Sequence, residues 1–235
     1  MKKINRLLIL STIIILSTFH AHSQVLVDDT EAIVDKLRLN KSINGIEDVS
    51  YSSIVGDPYI FKDFHQGKIT LTNGETYQLN LRYDIYGNQI HIKERDQIFA
   101  IIHPEKVASI IIDTLRFIYC NYRRSPVEET SGEDSYFILK TDGKCKLLIK
   151  KNIRIQDAEL PKLYQDAKPA KFIHTGDTYY LKPENKPAVR INNKKDLLSI
   201  LADKKDEIAS FIISNKLGVK EVDDLVKIVS FYNHQ

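Results

Sequence analysis

Cysteine is scarce in this chain, with only Cys120 and Cys145 among 235 residues. Neither lies near residues 20–25, so the N-terminal region has no thiol to carry a lipid. Charge of one sign is lacking too. The excess of 34 basic over 31 acidic residues is Lys2, Lys3 and Arg6, and without those three the chain is balanced. A balanced chain lacks the basic footprint of a nucleic-acid-binding protein. Beyond residue 23 no apolar run is long enough to span a bilayer. There is no internal repeat and no low-complexity tract. No HExxH or Cys/His spacing for a metal is present, nor a GxSxG, GxxxxGK[ST] or GxGxxG motif. No catalytic, cofactor-binding or metal residue is therefore assigned.

What is present begins with MKKINRLLILSTIIILSTFHAHSQ. A basic head precedes an apolar stretch from Leu7 to Phe19, then small residues at Ala21 and Ser23. That order is the pattern of a signal peptide over 1–23, cleaved after Ser23. The apolar stretch falls short of the roughly 20 residues a membrane-spanning helix needs. The expectation is an exported protein, periplasmic or extracellular, with no transmembrane helix in the mature chain. Residues 24–235 are long enough to bury a substantial core.

Periodicity divides the rest. In 24–50, Ile33, Val34 and Leu37 carry helical spacing within a short helix over 28–40. From 51 to 191 the chain has short β runs broken by Gly, Asn, Asp and Pro. Residues 123–134 and 156–170 read as long surface loops. From 192 to 235 helical spacing returns, as two or three helices capping the same domain. Leu197, Leu198 and Leu201 form one stripe. Ile208, Phe211 and Ile212 form a second, with Asp203 as its cap and Gly218 as its end. Val222, Leu225, Val226 and Val229 form the last. The fold class is mainly β (α+β): an antiparallel meander forming a curved sheet or half-barrel, with helices over an apolar face or plugging an open barrel. A closed barrel and a sandwich remain open alternatives.

Three hairpins can be registered by asking which loop keeps apolar residues on one face. A three-residue Thr72-Asn73-Gly74 turn with left-handed Gly74 places Ile69 opposite Tyr77. A similar Thr141-Asp142-Gly143 turn places Phe137 opposite Leu147 and Leu139 opposite Cys145, leaving Lys140, Lys144 and Lys146 on the other face. A two-residue Gly87-Asn88 turn places Ile85 opposite Ile90 and Tyr83 opposite Ile92. It also places Asp84 opposite His91 and Arg82 opposite Lys93. In this meander Cys120 and Cys145 lie two strands apart, about 9.5 Å, beyond the roughly 7 Å Cα separation of a disulfide. Two free, buried thiols are expected.

Candidate chemistry is thin. An Asp that orients a His becomes catalytic only when the other imidazole nitrogen faces a nucleophile or water, and Asp84–His91 has no such third member. His65, His103, His174 and His234 are scattered. Glu128, Glu129, Glu133 and Asp134 read as a solvated loop cluster. Lys140, Lys144, Lys146, Lys150 and Lys151, with Arg123 and Arg124, could meet anionic lipid or polysaccharide. Their plainer role is a lysine-decorated edge that resists aggregation.

The stretches GDPYIFKDFHQGKI, LRYDIYGNQIHI and KKDLLSILADKKDEI…DDLVKIVSFYN resemble those of exported, signal-peptide-bearing proteins of Bacteroidetes, over residues 50–235. The resemblance implies an envelope location and a sheet followed by helices, and it carries over no functional residue. Three function classes follow. One is a non-catalytic envelope protein that docks a partner protein. The second is a carrier or sensor of a small apolar ligand in the curved sheet. The weakest is a hydrolase with a site of unfamiliar form. The export reading has a direct check: protein isolated from its native envelope should begin at Gln24 by intact mass. An intact Met1 in that fraction would overturn it.

Overall fold

The computed structural model of the chain describes residues 51–128, 132–161 and 166–235. The expected signal peptide and the helix over 28–40 lie outside the described residues. Ten strands form one sheet: β1 (His65–Leu71), β2 (Thr76–Asp84), β3 (Gln89–Glu94), β4 (Gln97–Ala100), β5 (Val107–Ile112), β6 (Leu115–Arg123), β7 (Glu133–Thr141), β8 (Cys145–Lys150), β11 (Thr178–Pro183) and β12 (Ala188–Arg190). The remaining two, β9 (Ile153–Gln156) and β10 (Lys171–His174), pair separately as a small ribbon. Helices α1 (Lys194–Ile200), α2 (Lys205–Ser214) and α3 (Val222–Asn233) follow. The mainly β, curved, largely antiparallel architecture is the one expected.

The order across the sheet is β12-β11-β8-β7-β6-β5-β1-β2-β3-β4, and β12 also pairs with β6. One edge of β6 is therefore divided. Its first residues pair with β5 (Ile112↔Leu115, Ile110↔Phe117), whereas its end runs parallel to β12 (Ala188↔Tyr122). The sheet splits at that edge. Strands β6, β7, β8, β11 and β12 close into a ring, and β5-β1-β2-β3-β4 continues as a curved open half. Half-barrel and closed ring coexist.

Side-chain alternation sorts the core accordingly. Tyr122, Phe137, Leu148, Tyr180 and Ala188 fill the ring. The opposite face is continuous: Ile69, Leu81, Ile92, Ile110, Phe117 and Ile138 pack in the open half. Cys145, Leu147 and Leu181 on the same face receive the helices. Leu197, Leu201, Ile208, Leu225, Ile228 and Val229 are fully buried there, each contributing about 1.5–3 kcal/mol by area removed from water. The helices cover a sheet face and do not plug the ring. Asn233, in the last turn of α3, accepts from the Cys145 N–H at 2.8 Å and donates to the Cys145 carbonyl at 2.9 Å. A Cβ on Gly143 would lie 2.6 Å from the Asn233 amide nitrogen, so this turn needs glycine.

The first hairpin has the expected bulged turn, with Ile69↔Tyr77 and Gly74 at φ +90°. The other two hairpins differ. In β7–β8 the pairs are Ile138↔Ile149 and Leu139↔Leu148, with a bulge before Thr141↔Leu147. Phe137 thus does not face Leu147, nor Leu139 Cys145. Both faces of these strands are buried and apolar, so hydrophobic pattern cannot choose between registers. In β2–β3 the pairs are Tyr83↔Ile90, Arg82↔His91 and Asn80↔Lys93. The loop is four residues, Ile85–Asn88, because Asp84 Oδ1 accepts from the Gly87 N–H at 2.9 Å and Asn88 turns left-handed at φ +50°. A two-residue slip leaves every side chain on its expected face, so pattern is blind to it. Asp84 is paired with Gln89, and Arg82 does not face Lys93.

Two helix-end expectations also change. Asp203 does not cap α2. It accepts from the Tyr232 hydroxyl at 3.0 Å and pairs with Lys144 at 3.0 Å, tying the helical layer to the β7–β8 turn. The left-handed residue after α2 is Lys216, at φ +53°, rather than Gly218. Cys120 and Cys145 are unbridged, separated by β7, one against the ring interior and the other against the helices. Burial pushes their thiols up to about 11 and about 12 respectively.

Asn88 connects the tip of the β2–β3 hairpin to β7. Its Oδ1 accepts from the Tyr83 hydroxyl at 3.1 Å, the Ser135 hydroxyl at 3.0 Å and the Tyr136 N–H at 3.2 Å. Asn88→Gly keeps the left-handed backbone but removes this acceptor. It should lower the unfolding free energy by about 2 kcal/mol, the cost of an unmet buried donor. Urea denaturation at unchanged slope measures this, and a midpoint equal to wild type would show the contact to be idle.

Candidate functional site

The candidate sites are two: the polar cluster around Asp84 and His91, and a cleft bordered by β6, β7 and the start of α3. The first forms because residues 58–64 run back over the sheet as a strap. Ile85 N–H donates to the Pro58 carbonyl at 2.8 Å and Ile60 N–H to the Tyr83 carbonyl at 3.2 Å. The strap thereby uses the β2 edge that β1 leaves open beyond Leu81. Beneath it Arg82, Asp84 and His91 are 9%, 2% and 1% exposed. This polar face of β2 and β3 is buried.

Each partner in that cluster has a structural task. Asp84 Oδ2 accepts from the Tyr51 hydroxyl at 3.1 Å. Arg82 donates through Nη1 to the Lys62 carbonyl at 3.3 Å, and its guanidinium lies 3.5 Å from the Tyr59 ring centroid. Arg82 Nη2 lies 3.4 Å from His91 Nδ1. Since arginine only donates, Nδ1 is the acceptor in that contact. Nε2 faces Asp84 Oδ2 at 3.9 Å. Asp84 and His91 therefore do meet, diagonally rather than as a direct cross-strand pair. Both imidazole nitrogens face charged neighbours.

The remaining residues singled out in the sequence are dispersed. His65 stacks near Phe61, with centroids 4.6 Å apart, and His103 pairs with Glu105 at 2.8 Å. His234 Nδ1 lies 2.6 Å from the Ser230 carbonyl in the last turn of α3. Glu133 accepts from the Tyr122 hydroxyl at 2.7 Å and pairs with Arg124, while Glu128 accepts from the Arg124 N–H. Glu129 lies outside the described residues. The lysines do not share a face. Lys144 pairs with Asp203, Lys146 with Asp142, and Lys151 with Asp177. Lys150 Nζ donates to the Tyr122 hydroxyl at 3.1 Å, and burial lowers its ammonium from the usual lysine range.

The second place is a cleft of about 750 Å³ where the open half, the strap and the helical layer converge. Its apolar surface comes from Ile60, Phe61, Ile85, Leu115, Ile138 and Ile149, with Val222 at the start of α3. Arg116, Lys140, Lys151, Asn152, His174 and Asp177 supply its polar lining. Of the histidines weighed from the sequence, His174 is the one that reaches this cleft. No metal-holding group of three or more His, Cys, Asp or Glu occurs among the described residues. The lining is drawn from stretches far apart in the chain, and no local motif marks them. The one usable signal was Ile60-Phe61, an apolar pair outside any strand.

Compared with known proteins, the chain matches no family model, no curated protein and no solved structure. The site is therefore read from its own geometry.

Because Asp84 sits under the strap, its loss should be felt as stability. Asp84→Ala removes the acceptor of the Tyr51 hydroxyl and Gly87 N–H bonds and the carboxylate 3.9 Å from buried His91. It should cost about 3 kcal/mol. Glu133→Ala, on an exposed pair, should cost under about 1 kcal/mol. Chemical denaturation of both variants measures the difference, and equal small losses would mean the strap is held by other contacts.

Proposed function

We propose that this protein is a non-catalytic, exported binding module that holds a small apolar ligand in the cleft between strap, sheet and helices. The observation that carries this reading is where the helices lie. They bury Leu197 and Leu225 against Cys145, Leu147 and Leu181. The Ile138–Ile149 region of the same face is left bordering an open cleft. Its volume falls within the roughly 300–1,000 Å³ of small-molecule sites.

A partner-docking surface would instead call for a contiguous exposed apolar patch. Of the large exposed apolar side chains, Ile102, Val127 and Leu160 stand in separate connecting segments and Ile213 on α2, and Val55 and Tyr86 alone lie near each other, both beside Phe172. A hydrolase would call for Asp84 and His91 at a cleft, and the strap covers both. Export is supported by the N-terminal pattern and by the resemblance to exported Bacteroidetes proteins. No helix among the described residues is long and apolar enough to cross a membrane.

The reading is tested with the neutral fluorophore N-phenyl-1-naphthylamine and with mass spectrometry of small molecules that co-purify from the native envelope. The fluorophore should bind one to one. Leu115→Trp, at the half-buried cleft wall, should weaken binding at least about tenfold, the effect of losing about 1.4 kcal/mol, without changing the thermal midpoint. Absence of binding together with absence of a co-purifying molecule would reject the carrier.

A further inference from the structure

The rim of the cleft is not electrically neutral. Arg116, Lys140 and Lys151 face it, against Asp177 as the one carboxylate in the lining. Two of these cations are already satisfied: Arg116 pairs with Asp142 at 3.6 Å and Lys151 with Asp177 at 2.7 Å. Lys140 is different, for its ammonium has no partner among the described residues. The β7–β8 bulge falls between Leu139 and Thr141, so Lys140 is the extra residue. Bulges re-aim the side chains they carry. Lys140 stands two residues beyond the Phe117↔Ile138 pair, alongside Leu115. A lone ammonium thus borders an apolar floor made by Leu115, Ile138 and Ile149.

We propose that the ligand of this cleft is an amphiphile with one anionic head, the head held by Lys140 and the hydrocarbon body laid along Leu115, Ile138, Ile149 and Phe61. The proposal rests on the reading of the cleft as a ligand site and adds the chemical class. An ammonium beside hydrocarbon can receive a carboxylate or a phosphate ester as a charge-assisted hydrogen bond. Asp177 in the lining, and Asp142 beside Arg116, are already engaged with other cations. A neutral apolar ligand would gain nothing from Lys140, and a fully hydrophilic anion would waste the floor.

Dodecanoate and dodecanol separate the head from the tail. Isothermal titration of the purified, delipidated protein should give dodecanoate about tenfold tighter than dodecanol, equivalent to about 1.4 kcal/mol. Lys140→Gln should bring dodecanoate down to the affinity of dodecanol and leave dodecanol itself unchanged. Lys205→Gln, on the exposed side of α2, should alter neither. Raising the salt concentration should weaken dodecanoate alone, as expected for a partly exposed ion pair.

Equal binding of the two ligands, or an unchanged preference in Lys140→Gln, overturns the anionic head and leaves the apolar site standing. Failure of both ligands and of the neutral fluorophore overturns the site itself. A dimer in sedimentation whose dilution uncovers the binding would assign the cleft to a second copy of the chain, and would also overturn the proposal. A phosphate ester with the same chain, such as dodecyl phosphate, then distinguishes a carboxylate ligand from a phospholipid-like one.

Discussion

The middle of strands β7 and β8 is buried on both faces, and the rest of the architecture follows from that burial. Phe137 and Leu148 point into the ring, while Tyr136, Ile138, Leu147 and Ile149 point the other way, and all are at most 8% exposed. A strand pair apolar on both sides needs cover on both sides. Closing β6, β11 and β12 around one side supplies the first cover. The second is shared between the open half of the sheet and the three helices. Those two covers do not meet along the whole face, and the cleft is the interval between them.

The strap is what makes that interval a shaped site instead of an exposed strip of sheet. Tyr59, Ile60 and Phe61 form one wall, and they are held by the contacts of Arg82, Asp84 and His91 on the far side of β2 and β3. Burying that much charge is costly unless every group has a partner. Tyr51, Gly87 and the Lys62 carbonyl provide several of those partners. The polar cluster therefore acts on the cleft at a distance, by fixing its wall. Its residues resemble a catalytic set in type, but their contacts to Tyr51, Tyr59, Lys62 and Gly87 hold chain to chain.

Legibility in the sequence followed locality. The Ile69–Tyr77 hairpin was readable because its two faces differ in polarity and Gly74 marks the turn. The register of β7–β8 was not, because YFIL and LLI are apolar on both faces and any register buries them. The β2–β3 register failed for a different reason. Asp84 and Asn88 chose a longer loop through hydrogen bonds, one of them reaching β7 more than 40 residues away (the Asn88–Ser135 contact spans 47). The helix stripes were legible from spacing. Ile228 and Tyr232 in the buried face of α3 follow the same periodicity and extend it. The cleft itself could not be seen, since Lys140 reads in sequence as one of several hairpin lysines and Leu115 belongs to no local pattern.

By itself, then, the sequence determined composition, the alternation of a β region with terminal helices, and the apolar faces that had to be hidden. Periodicity is a property of neighbouring residues, and neighbours suffice to express it. Tertiary structure alone decided which strands close into a ring, which polar groups go under the strap, and where the two covers leave a gap. Those outcomes depend on contacts between segments far apart in the chain, where one hydrogen bond or one bulge selects among arrangements that local pattern holds to be equal.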